Sequence, residues 1–79
     1  MTREELIEVF DMAKESKLDA YVALEIPGLK DFEYIIIKHK NLDAKIKYYC
    51  ETYTENLEHN VNNDIKIIFA GMIDFYMGE

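Results

Sequence analysis

Leu6, Val9, Phe10 and Ala13 recur at the spacing of one helical face, with Ile7 at its edge, and predict an amphipathic helix from Thr2 to about Ser16. Thr2 followed by Glu5 fits a capping box, and Lys14 and Lys17 lie at the end where cations complement the helix dipole. Beyond Lys17–Leu18–Asp19 the period changes. Ala20, Val22, Leu24 and Ile26 alternate with Tyr21, Ala23 and Glu25, which predicts a half-buried strand stopped by Pro27–Gly28. Phe32–Lys38 is a short run of β-branched and aromatic residues and predicts a second strand. The intervening loop is short enough for an antiparallel hairpin. Asn41 is the expected N-cap of a second helix, with Asp43 in its first turn. Leu42, Ile46, Tyr49, Cys50, Tyr53 and Leu57 form its core face to about Leu57. His59–Asn63 is a polar loop, and Asp64–Ala70 returns to strand character.

The expected fold is therefore one small α+β domain over residues 1–79, in the order α-β-β-α-β. Two helices would lie on one face of a three-stranded mixed sheet, because a strand, a crossover helix and a strand normally run parallel with a right-handed connection. That arrangement leaves a packing problem. Phe32, Tyr34 and Ile36 fall on one strand face and Ile35 and Ile37 on the other, while Ile65, Ile67 and Phe69 are backed by Ile68. Two helices cover only one face. The segment Met72–Met77 is too apolar for a free tail, so Met72, Ile73, Phe75 and Tyr76 are expected to cover the second face or to form a dimer interface.

Sixteen acidic against nine basic residues give a net charge of −7, which opposes direct nucleic-acid binding and anionic membranes and favours a partner with a basic surface. A composition 49% hydrophobic and 13% aromatic is that of a folding chain. No apolar run approaches the roughly 20 residues of a membrane span, and the acidic start lacks a signal peptide's basic region. A cytoplasmic protein is expected. The single cysteine, Cys50, excludes an internal disulfide and falls where a small buried apolar residue is needed.

Glu4, Glu8, Asp11 and Glu15 form one acidic stripe along the first helix, stepping about 6 Å at a time, comparable with the phosphates of a nucleic-acid strand. Such a stripe can occupy a basic groove. It is also what the ordinary solvated face opposite Leu6 and Phe10 looks like, the commoner origin of such a stripe. His39 and His59 have no ligand-spaced partner within their own elements, so no metal site is expected. Gly-rich phosphate loops and the GxSxG, HExxH and CxxC motifs do not occur, and no cofactor is implied. Of the clustered Tyr48, Tyr49 and Tyr53, only Tyr48 points off the core stripe, which makes it the interface candidate.

Ile35–Ile37, Ala44–Lys45, Tyr48–Tyr49, Tyr53, Leu57 and Ile65–Ile67 together resemble short accessory proteins of phages and prophages of low-GC Gram-positive bacteria, over about half the chain. There a hydrophobic strand leads into a helix with a KxxYY…Y…L pattern and then a strand; the acidic first helix lies outside the pattern. The resemblance implies a non-enzymatic protein acting on host machinery in the host cytoplasm, such as a defence inhibitor, and carries over no catalytic residue. The leading expectation is thus an inhibitor or modulator of a host nucleic-acid-handling or defence protein, contacted through Glu4, Glu8, Asp11, Glu15 and Tyr48. The alternatives are a self-assembling structural protein and a protein that sequesters a small molecule between subunits.

Overall fold

In the computed structural model, which describes residues 1–73, the first helix (α1) spans Arg3–Ser16. Its start is the expected capping box. The Glu5 N–H donates to Thr2 Oγ1 at 3.3 Å, and the Thr2 N–H donates to Glu5 Oε1 at 2.8 Å. Its end is a Schellman turn: Lys17 adopts the left-handed conformation (φ 58°), its N–H reaching Lys14 O while that of Leu18 reaches Ala13 O at 2.9 Å. A left-handed side-chain-bearing residue costs about 1–2 kcal/mol. That exceeds the few tenths an exposed cation contributes at a helix end, and it also exceeds glycine's extra unfolded-state entropy. Lys17→Gly is therefore expected to stabilise the chain by about 0.5–1 kcal/mol, read as a rise of a few degrees in Tm. A lowered Tm would show that Lys17 holds the turn through its side chain.

Three strands follow: β1 (Asp19–Glu25), β2 (Glu33–Ile37) and β3 (Lys66–Ile73), with the second helix (α2, Leu42–Thr52) between the last two. The element order is as expected, apart from a short 3-10 turn at His39–Asn41. The mixed sheet is not. The sheet order is β2-β1-β3, and β1 is antiparallel to both neighbours. The strands β2 and β3 do run the same way, but they never pair, because β1 lies between them. Burial accounts for this choice: Ala20, Val22, Ala23 and Leu24 make β1 the most enclosed strand, so its backbone needs partners on both sides.

Leu6, Phe10 and Ala13 from α1 and Leu42 and Tyr49 from α2 close over Ala20, Val22, Leu24, Ile37 and Ile67 on one face of the sheet. Phe10 and Tyr49 meet edge to face at 6.3 Å. An exposed ion pair, Lys14 to Asp43 at 2.6 Å, links the two helices.

Two local expectations for α2 are corrected. Asn41 makes no side-chain cap, since the 3-10 turn supplies the entry to the helix. The helix ends at Thr52, not near Leu57. Tyr53 is extended, Thr54–Leu57 makes a turn, and Leu57 takes φ 59° so that its side chain reaches the core fully buried. Burying a leucine is worth about 2–3 kcal/mol, which outweighs the left-handed backbone cost of about 1–2 kcal/mol. Cys50 is only half-buried, because it sits at the margin of the face centred on Tyr49.

Tyr49 is almost completely enclosed, and among the described residues its hydroxyl has no hydrogen-bond partner. Burial, together with the neighbouring Tyr53 and Tyr48, pushes its pKa up to about 12. The fold thus holds the neutral phenol. This contribution is complete below the ordinary tyrosine value of about 10 and is lost as pH rises from there through about 12. Tyr49→Phe is expected to match or exceed the parent's stability at neutral pH, by up to about 1 kcal/mol, and to melt less steeply with pH in the alkaline range. Tyr53, also raised by burial, leaves a residual dependence. Equal alkaline slopes for the two proteins would contradict this.

Candidate functional site: the open face of the sheet

Antiparallel neighbours in register share a face, so the pairing decides which side chains look away from the helices. Opposite Tyr21 lie Ile36 and Gly71; opposite Ala23 lie Tyr34 and Phe69; opposite Asp19 lies Ile73. The register of β3 shifts between Ala23 and Leu24, where Ile68 is the extra residue of a bulge. Its consequence is specific. Ile67 turns into the core, whereas Phe69, two residues on, turns to the open side, so the expected common face of Ile67 and Phe69 is split.

Four rings gather on that side. Phe69 lies 5.8 Å from Phe32, 6.2 Å from Tyr34 and 6.4 Å from Tyr21, and Tyr21 lies 6.1 Å from Tyr34. These are edge-to-face or tilted contacts of the favourable kind. Two small residues make room for them. Ala23 lies fully buried between Tyr34 and Phe69, and at Gly71 a Cβ would come within 2.6 Å of the Tyr21 ring. The outward parts are wet: Tyr34 is 58% exposed, Ile36 55% and Phe32 39%. Among the described residues no element covers this face.

The residues expected to bind a partner lie elsewhere. Glu4, Glu8, Asp11 and Glu15 are all exposed, as one stripe on the side of α1 opposite Leu6, Phe10 and Ala13. The stripe and the ring cluster are therefore on opposite sides of the molecule. Glu4 also borders a hollow of about 370 Å³ with Thr2, Arg3, Ile7, Glu55 and Asn56. Arg3 is committed there to structure, its guanidinium donating to Tyr53 O at 2.8 Å. Tyr48 is 47% exposed and packs on Tyr49 and beneath Lys45, within its own helix. Met72 and Ile73 belong to β3 and point to opposite faces: Met72 lies opposite Ala20 on the helix side, and Ile73 is on the open side. Phe75 and Tyr76 lie outside the described residues.

His59 is used to hold a loop, since its Nδ1 accepts from the N–H groups of Val61 and Asn62 and its ring packs on Tyr53 at 5.1 Å. Among the described residues no group of three or more His, Cys, Asp or Glu side chains is placed to hold a metal ion, and no helix is long and apolar enough to cross a membrane. The sequence shows that one of two apolar strand faces needs cover, with Phe32, Tyr34 and Ile36 on one and Ile35 and Ile37 on the other, but does not say which; it groups Phe69 with Ile67 and leaves Tyr21 out. The phase of the β1 alternation carried the signal for Tyr21, since Tyr21 falls out of step with Ala20 and Val22. For Phe69 no signal exists without the bulge. No protein-family model, curated protein or solved structure matches the chain.

Proposed function

We propose that the protein acts by binding, without chemistry of its own, and that the open sheet face is its contact core. The observation that carries this reading is the cluster Tyr21, Phe32, Tyr34 and Phe69, flanked by Ile36 and presented outward. Rigid aromatic side chains with wet tips are the commonest anchors of protein interfaces. The charge of −7 selects for a partner with a basic surface. The exposed stripe Glu4, Glu8, Asp11 and Glu15 adds long-range attraction from the far side. With the phage-like pattern, this favours an inhibitor or modulator of a host nucleic-acid-handling or defence protein.

Dimensions limit the strength of the contact. Three strands about 4.8 Å apart and five to eight residues long span roughly 14 by 20 Å, near 300 Å², whereas a stable complex buries about 800 Å² per partner. The face therefore serves as the centre of an interface that must draw further area from around it. The test is affinity capture from bacterial lysate, quantified by mass spectrometry, with the parent, a Tyr34→Thr/Ile36→Thr variant, and a variant carrying Gln at Glu4, Glu8 and Glu15 and Asn at Asp11. The same protein should be captured by the parent and, more weakly at low salt, by the stripe variant, and lost from the face variant. Capture that depends on the stripe alone would move the contact to α1.

A further inference from the structure

The two outer edges of the sheet are treated differently. The start of β3 is covered on its outer side: the Ile67 N–H donates to Leu57 O at 2.9 Å, the His59 N–H donates to Ile65 O at 2.8 Å, and Glu58 bridges Lys66. Among the described residues nothing pairs with the outer edge of β2. That edge is Glu33-Tyr34-Ile35-Ile36-Ile37, with no proline, bulge or internal lysine, which are among the usual guards of an open edge. Unpaired backbone groups on such a strand are a template for another strand.

We propose that β2 pairs antiparallel with β2 of a second copy across a two-fold axis normal to the sheet, giving one six-stranded sheet. Three observations select a second copy as the occupant. Electrostatics come first. In a chain of charge −7, the segment from Lys30 to Lys40 carries three lysines against two carboxylates, whereas α1 carries five carboxylates against two cations. The edge of β2 is thus a region where a second acidic copy is not repelled. The order of the charges is also complementary: at the start of the strand Asp31 and Glu33 outnumber Lys30, and Lys38 and Lys40 follow its end, so antiparallel pairing sets the acidic end of each strand beside the basic end of the other. Lys38 is already within 3.5 Å of Asp19, and the attraction needs only its charge.

Register is the second. A two-fold axis normal to the sheet keeps both open faces on the same side, and paired residues must share a face, so only registers that set odd against odd and even against even are allowed. With Ile35 on the axis all five strand residues pair, and Tyr34 of each copy lies opposite Ile36 of the other on the open side. The two most exposed apolar side chains of β2 then cover each other. Area is the third. Pairing joins the two open faces into one continuous surface of roughly 600 Å², which approaches the area per partner that a single face lacks. Charge order and register are properties of the isolated protein alone; the gain in area rests on the partner reading above.

The test is sedimentation of the full chain across the micromolar range, with hydrogen exchange of the β2 amides measured in parallel. Expected are a concentration-dependent dimer and alternate amides within Glu33–Ile37 that exchange more slowly as the dimer fills, with β1 amides protected throughout. Ile36→Lys should weaken association about tenfold or more by placing charge beside the axis. Ile73→Lys, on the open side of the far strand, should leave association unchanged. A strict monomer at high micromolar concentration, or β2 exchange independent of concentration, overturns the proposal even if Ile36→Lys fails to fold. A dimer broken by Ile73→Lys and not by Ile36→Lys also overturns it, in favour of face-to-face stacking.

Discussion

Phe10→Ala is expected to cost the chain about 3–5 kcal/mol, a quarter or more of its stability. A chain of 79 residues has roughly 4–12 kcal/mol of stability in total. Phe10 is fully enclosed where α1 crosses the sheet, and its ring meets Tyr49, the largest enclosed side chain of α2. Truncating a buried phenylalanine costs about 3–5 kcal/mol, part of it from the cavity left behind. Relaxation offers little recovery here, because the opposing wall is the Ala20–Val22–Leu24 face of the central strand, which is fixed on both sides by pairing. Urea denaturation followed by circular dichroism measures the loss, and a cost below about 1 kcal/mol would mean that the two helices do not depend on this contact. Met12→Ala is the control, since Met12 lies on the solvent side of the same helix.

The second large effect is on association and should leave folding nearly intact. Tyr34→Thr/Ile36→Thr removes the two most exposed apolar side chains of β2 and keeps β-branched residues suited to a strand. Tyr34 gives up ring contacts with Tyr21 and Phe69, worth about 1 kcal/mol together, so the Tm should fall by several degrees at most. Interface anchors of this kind carry about 2 kcal/mol or more each, and losing both should weaken partner binding by several hundredfold, about 4 kcal/mol. A variant that binds as tightly as the parent would leave the ring cluster as a structural feature of the sheet alone.

Local chemistry made much of the fold legible. Thr2 and Glu5 specify the first helix start by hydrogen bonds three residues apart, and the Ala20–Val22–Leu24 alternation specifies a strand from within itself. Strand neighbours are decided by which strand is most enclosed, a property of the whole molecule, and the parallel pairing of β2 with β3 was accordingly wrong. The end of α2 was misplaced for a related reason: Tyr53 and Leu57 keep helical spacing and are both core residues, yet Leu57 arrives there through a left-handed turn. The candidate site was half visible. The period of Phe32, Tyr34 and Ile36 marks them as one apolar face, but only the assembled layers show that it is the open one, and Phe69 joins it only because Ile68 is squeezed out of register by pairing with β1. The acidic stripe was read correctly as one exposed face of α1, while its position on the side opposite the rings follows only from the assembled layers.

The most direct measurement is the footprint of the captured partner on the isotopically labelled protein, followed by side-chain and amide resonances in solution. Shifts or broadening concentrated at Tyr21, Phe32, Tyr34, Ile36 and Phe69, with Glu4, Glu8, Asp11 and Glu15 unperturbed at physiological salt, are the expected result. A footprint along α1 that leaves those five open-face residues silent would contradict it.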